Sequence, residues 1–337
     1  VLAPPLQPAL TVLDAARGRF YSALRPIARS VLAQRERRVA LAGTALLASA
    51  LIAASTLPLL LLALGPIVWG VPHLVSDLRY LVARPGLHKS LALYAAAAVT
   101  IGGSILGLGV RASLAGTIVA VTLGGGVLAR RAAVAAGAGG LLFAASQSPW
   151  LADAIFLHAH NLVAFAYWLA WRKRSTRLHW LVVGAFAAGS AWLLVGPGLA
   201  IASAAGTLDA EWSGLAMREL AWALSPVDDP TWSLRFAMFF AFAQTAHYVV
   251  WLHLLPQDDA RRGAPLTFSQ GYRGLVRDVG APLLWLAAAA ALLVGGLAFV
   301  SLAWARDVYL GVAFFHAHLE LIAGGLLLAG VASRDAT

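Results

Sequence analysis

Apolar runs about as long as a bilayer is thick recur along almost the whole chain, and this recurrence limits the fold more than any other feature. A helix crossing a hydrocarbon core needs roughly 20 predominantly apolar residues. Such runs fall at 39–57, 59–83, 90–110, 113–129, 132–147, 151–171, 179–205, 232–255, 281–305 and 308–331, the fourth and fifth being shortest. Backbone N–H and C=O groups in lipid must pair within their own segment, so each run is expected to be helical. The expected fold is all-α: a polytopic integral membrane bundle of about ten transmembrane helices. Composition agrees, since 60% of the 337 residues are hydrophobic and only 12% are charged, against about 25% charged in a soluble domain.

A net charge of +10 would suit a nucleic-acid partner in a soluble protein, but here the basic residues are placed as membrane loops. With a cytoplasmic N-terminus, twenty of the 25 lysines and arginines lie on inner segments. These are seven in residues 1–38, then Arg84, Lys89, Arg130, Arg131, Arg172, Lys173, Arg174, Arg177, four in 256–280, and Arg334. Arg111, Arg218, Arg235 and Arg306 fall at the outer side, and Arg79 within the second run. This is the positive-inside bias. It predicts that both termini are cytoplasmic, that the protein is multi-pass in a bacterial inner or plasma membrane, that lipid is its partner, and that nucleic acid is not.

Residues 1–38 lack the short basic start and apolar core of a removable signal. Leu13, Phe20, Leu24, Ile27 and Val31 recur opposite Arg19, Arg25 and Arg29, which predicts a basic helix on the membrane surface. The transmembrane domain is expected over 39–331, followed by a tail, 332–337. Within it, the outer loop 206–231 holds "LDAEWSGLAMRELAWAL", where Trp212, Leu215, Leu220, Ala223 and Leu224 form an apolar stripe. An interfacial helix is expected there, tying two spans together or covering an entrance. The basic inner loop 256–280 is expected against lipid headgroups. Gly103 and Gly107 read as a small-xxx-small pair that lets helices approach closely, and the third to fifth runs read as scaffold.

The chemistry lies in polar residues that a bilayer makes costly. His73, His158, His160, His247, His316 and His318 fall inside runs, together with Asp77, Asp153, Asn161, Gln244, Thr245 and Glu320. An intramembrane ionisable group costs roughly 2.5–3.5 kcal/mol on insertion scales, so several on one interior imply coordination or tight pairing. All six histidines lie on the second, sixth, eighth and tenth runs, at depths spanning roughly 10 Å at 1.5 Å per residue. His73 and Asp77 share a helix face, as do His316 and Glu320. Each His-Ala-His motif, in "FLHAHNLVAF" and "FFHAHLELIA", points its two rings about 200° apart. His158 aligns with Asn161 and His160 with Asp153, so one of each pair should face the interior. Gln244, His247, Tyr248 and Trp251 share a face.

Imidazoles and carboxylates on facing helices are how bundles hold iron or manganese. With no cysteine in the chain, the candidate metal ligands are His73, Asp77, His158, His160, His247, His316, His318 and Glu320, and they suit non-haem iron first, with manganese, zinc or copper as alternatives. Tyr248, Gln244 and Asn161 are candidates to orient those ligands. The expected activity is oxidation of a lipophilic small molecule, such as a carotenoid or lipid, by an oxygenase with a redox partner or within a larger membrane complex. The rival expectations are a haem- or pigment-binding electron-transfer subunit, a proton- or ion-coupled transporter, and a structural subunit.

The stretch "GVPHLVSDLRY", residues 70–80, resembles the Gly-x-Pro-His-Gly-x-x-Asp signature of the Brp/Blh-type bacterial β-carotene 15,15′-dioxygenases. "FAFAQTAHYVVWLHLLP", residues 240–256, is similar in character to that family's later aromatic-rich span. The resemblance implies a polytopic membrane dioxygenase with histidine-ligated iron, His73 and His247 as ligands, and Asp77 beside the first. Leu74 stands where the family has glycine, and His247 and His253 are spaced His-x5-His where the family has His-x3-His.

Overall fold

Every one of the expected apolar runs is helical in the computed structural model, which describes residues 6–210, 214–260 and 265–331, without the side chains of Arg25, 27–30, Leu32 and Ala210. Trp212 of the outer loop, Arg261 and Arg262 of the inner loop, and the tail 332–337 lie outside the described residues, as do the side chains of Arg25, Ile27 and Arg29. The helices are α1 (Gln7–Ala33), α2 (Arg35–Thr56), α3 (Pro58–Asp77), α4 (Leu91–Ile105), α5 (Val110–Leu123), α6 (Leu128–Gln147), α7 (Pro149–Trp171) and α8 (His179–Leu194). They continue as α9 (Gly198–Ala204), α10 (Met217–Leu224), α11 (Pro230–Val249), α12 (Leu255–Asp259), α13 (Phe268–Val279), α14 (Ala281–Val300), α15 (Leu302–Ala313) and α16 (Phe315–Leu328). A two-residue antiparallel pairing, Asp209 opposite Ala216 and Ala210 opposite Leu215, is the described β-structure.

Among the described residues seven helices are long and apolar enough to cross a membrane, or eight if α8 and α9, bent by 61° across "VGPG", form one broken span. The two short ones are α4 and α5, at 15 and 14 residues, or roughly 21–23 Å at 1.5 Å per residue. These are the third and fourth runs, not the fourth and fifth. The fifth run is the 20-residue α6, because its helix begins earlier, at Leu128, than the apolar pattern does. The broken span is held by Arg235, whose guanidinium donates to the carbonyls of Leu193, Leu194 and Gly196 at 3.2, 3.0 and 2.9 Å. Those are acceptors that a helix end leaves free.

Helix α11 is the centre of the bundle, packing on α2, α3, α7, α8 and α10. Its C-terminal end joins a core built on Trp168, Trp251, Tyr80 and Leu254. By contrast only 6% of α14's apolar window is buried, which leaves that helix a lipid-facing surface. Gly103 makes the close approach expected of it: a Cβ there would stand 2.6 Å from the Ala112 Cβ. Gly107 does not. It lies in the turn between α4 and α5 at φ +74 with open space beside it, since the helix ends before it.

At the end of the bundle expected to be cytoplasmic, the charges pair. Arg79, counted within the second run, reaches Asp278 at 2.8 Å. Arg84 pairs with Asp259, and Asp258 accepts from Arg174 at 3.0 Å and from the Trp168 indole at 2.7 Å. The loop expected on the inner side is tied down by protein: Asp14 of α1 accepts from the backbone N–H groups of Phe268 and Ser269 at 2.6 and 3.2 Å. It thereby caps α13 beside the Thr267–Gln270 capping box.

Candidate metal centre

Four helices bring imidazoles to one point: α3 with His73, α7 with His160, α11 with His247 and the α15–α16 span with His316. The His73 and His316 Nε2 atoms are 3.2 Å apart. Ring centroids are 5.4 Å apart for His73 and His247, 5.1 Å for His160 and His247, and 5.5 Å for His160 and His316. Two carboxylates join them. Asp77 Oδ2 lies 3.9 Å from His73 Nε2, and Glu320 Oε1 lies 3.7 Å from His247 Nε2. One donor atom from each of His73, Asp77, His247 and His316 fits within a mutual 4.8 Å.

The backbone departs from regular helix next to three of these groups. A π-helical turn, Leu78–Ala83, begins immediately after Asp77, and another, Val250–Leu254, begins three residues after His247. The α15 ladder ends at Ala313, so His316 sits in the first turn of α16. Such irregular turns concentrate at functional sites.

Hydrogen bonds orient the rings. His73 Nδ1 bonds the Trp69 carbonyl at 3.3 Å, His160 Nδ1 the Leu157 carbonyl at 2.9 Å, and His316 Nδ1 the Ala313 carbonyl. A carbonyl only accepts, so each Nδ1 is the protonated nitrogen, and in a neutral imidazole Nε2 is then a lone-pair acceptor. The His73 and His316 lone pairs therefore face each other, with the His160 ring beside them. Both carboxylate oxygens of Asp77 and both of Glu320 are buried there with no hydrogen bond within 3.5 Å, although buried polar atoms are nearly always paired; the Trp251 indole N–H faces Glu320 beyond that distance.

The other member of each His-Ala-His pair points elsewhere. His158 stacks on Phe239, with centroids 5.5 Å apart and planes at 14°, and its Nε2 bonds the Leu224 carbonyl at 2.8 Å. His318 meets the Ser113 hydroxyl and stacks on Phe156, so α5, expected as scaffold alone, anchors that ring. Neither shares the centre, because a neighbouring helix engages the opposite face of its own. Asp153 does not turn toward the centre with His160: it accepts from Val110 N–H at 2.7 Å beneath Gly109, whose φ of +54 and missing Cβ make the room. Of the candidates for orienting ligands, Tyr248 packs on His73 at 4.7 Å between centroids, while Gln244 and Asn161 line the adjoining cavity.

That cavity has a volume of about 330 Å³. In each site helix most residues lining it come before the histidine, as Pro66 before His73, Phe156 before His160, Phe240 before His247 and Leu310 before His316, and those that follow, Asn161, Tyr248 and Ala317, are the histidines' immediate neighbours. The four helices therefore run in the same sense, with the cavity on one side of the imidazoles. Asp77 and Glu320, each one turn beyond a histidine, lie on the other side. Ala223 and Leu224 of α10 also line the cavity, so the outer-loop helix covers it in addition to tying spans together. Two polar lining residues, Tyr309 and Arg306, were not assigned to the site from sequence. Tyr309 stands two turns before His316 on the same face, and that register could have revealed it.

Comparison of the chain with protein-family models, with characterised proteins and with solved structures found no match.

Proposed function

We propose that the chain is an integral membrane metalloenzyme that oxidises a lipophilic molecule, such as a carotenoid or another lipid. His73, His160, His247 and His316 would hold the ion, with Asp77 and Glu320 as further ligands or as the charges that neutralise it. The observation that carries this reading is the convergence of imidazole lone pairs beside unpartnered buried carboxylates. Acceptors facing one another repel unless a cation lies among them. Two imidazole nitrogens on one cation at about 2.0–2.1 Å stand roughly 2.8–3.4 Å apart, and the His73–His316 separation of 3.2 Å falls in that range.

A nitrogen and oxygen donor set without sulfur suits iron, manganese, zinc or copper. Iron is preferred because the histidine side of the centre opens on the cavity, where a substrate would sit. Four imidazoles with neighbouring centroids 4.8–6.2 Å apart leave no slot for a tetrapyrrole plane, which weighs against haem. A bound ion of this kind supplies Lewis acidity and, for iron, oxygen and electron-transfer chemistry. The protein holds the rings in place through their Nδ1–carbonyl bonds, balances the ion's charge, and keeps water from an apolar chamber. The resemblance of residues 70–80 and 240–256 to the β-carotene dioxygenases supports the same class. The reading includes ten crossings with both termini cytoplasmic, in which α4, α5 and the bent α8–α9 pair complete the seven long helices.

Elemental analysis of the full chain, purified folded without chelator, tests it. The expected result is about one transition-metal ion per chain, lost on chelation; iron, manganese, zinc and copper all below about a tenth of an ion per chain would overturn it.

A further inference from the structure

We infer that the molecule occupying the cavity carries a hydroxyl or carbonyl oxygen on the end nearest the histidines, and that Tyr309 recognises that oxygen. This rests on the proposed function only for the idea that the occupant is a substrate; the recognition itself is argued from the cavity wall.

Tyr309 is 4% exposed, lines the cavity, and its hydroxyl has no hydrogen-bond partner. Its ring lies over Gly70, the residue one turn before His73, where any Cβ would collide with the ring. The missing side chain at Gly70 thus seats the hydroxyl against α3, one turn before His73, in the wall of the cavity that the histidines also line. Beside it the wall has Pro66, Leu310, Ala313 and Phe314, and the neighbouring charge, Arg306, is already engaged by the Leu62 carbonyl at 3.1 Å and Asp307 at 3.0 Å. Across the same cavity, Asn161 is fully buried with its Oδ1 unpartnered. A buried hydroxyl without a partner is rare, and ligand sites are typically apolar chambers with a few placed polar groups that fix orientation. A pure hydrocarbon would leave both groups unpaired. An alcohol or ketone oxygen accepts from the Tyr309 hydroxyl, and an alcohol can also donate to Asn161.

Size points the same way. A cavity of about 330 Å³ lies at the low end of small-molecule sites, roughly 300–1,000 Å³, so it takes one end of a long lipid. Trp150 and Phe314 line it and are 56% and 49% exposed, which marks where the rest of the chain would leave between α7 and α15.

The test is equilibrium binding of radiolabelled 1-hexadecanol and n-hexadecane to the full chain in nanodiscs, with empty nanodiscs subtracted and metal content measured on the same samples. The wild type is expected to favour the alcohol by about tenfold, and Tyr309→Phe to reduce that preference to within about twofold while binding the alkane as before. Gly70→Ala, which keeps the hydroxyl but displaces it, should lose the preference too, and this covers the case in which Tyr309→Phe folds poorly. Equal binding of both probes by the wild type, failure to bind either, or a preference unchanged in both variants would overturn the inference. Metal-free protein that keeps the preference would sink the metalloenzyme reading and leave this one standing; metal-loaded protein without it would do the reverse.

Discussion

Replacing Asp77 by Asn separates a metal ligand set from a merely polar core, because the two readings differ in sign. Asp77 is 2% exposed, its carboxylate oxygens are unpartnered, and Oδ2 lies 3.9 Å from His73 Nε2. A carboxylate and a unit positive charge about 4 Å apart interact by about 4 kcal/mol at an effective dielectric of 20. Desolvation offsets part of this, so the expected loss of metal affinity is about 10–100-fold, or about 1.4–2.7 kcal/mol. In chelator the same substitution removes a buried acid that nothing balances, so the metal-free variant should unfold at the same temperature as the wild type or higher. The assay is metal affinity by competition with a chromophoric chelator, paired with thermal unfolding with and without that chelator. Unchanged affinity, or a metal-free Asp77→Asn protein that unfolds several degrees earlier, would refute the reasoning.

The two members of a His-Ala-His pair should behave differently. His316→Ala is expected to lower metal retention more than about tenfold. His158→Ala should leave metal content unchanged but cost about 1–3 kcal/mol in unfolding, since its bond to the Leu224 carbonyl ties α10 to α7. Because the chain has no cysteine, single cysteines report the topology: in intact cells a membrane-impermeant maleimide should label Ala205→Cys and spare Lys173→Cys, and the opposite pattern would invert the assignment. Burial alone would raise the Asp278 carboxyl, but hydrogen bonds from Arg277 and Arg79 outweigh it and hold the group below the usual carboxylate range. A depressed folded value contributes stability above the unfolded pKa of about 3.9 and loses it as pH falls through the folded one. The protection of α13 amides, that is, exchange corrected for its intrinsic pH dependence, should therefore fall as pH drops below about 4 in the wild type and change less in Asp278→Asn.

What the sequence determines here is whatever depends on local periodicity and on the cost of polarity in lipid. Apolar run length locates helices, and a histidine or carboxylate inside such a run is conspicuous because little but coordination or pairing makes it tolerable. His73, Asp77, His247, His316 and Glu320 were therefore legible before any coordinates. What local periodicity cannot do is choose between two faces of one helix. Rings two residues apart point in opposite directions, and each direction is equally good until a neighbour fills one of them. Phe239 and the Leu224 carbonyl claim His158, Ser113 and Phe156 claim His318, and that leaves His160 and His316 for the centre. The same limit hid Tyr309, which matters only because Gly70 of another helix makes room for its ring. It also misled the reading of Gly107, since packing and turn geometry decide where a helix stops. Segments were written in the chain; which of their faces meet was decided only when the helices competed for the same space.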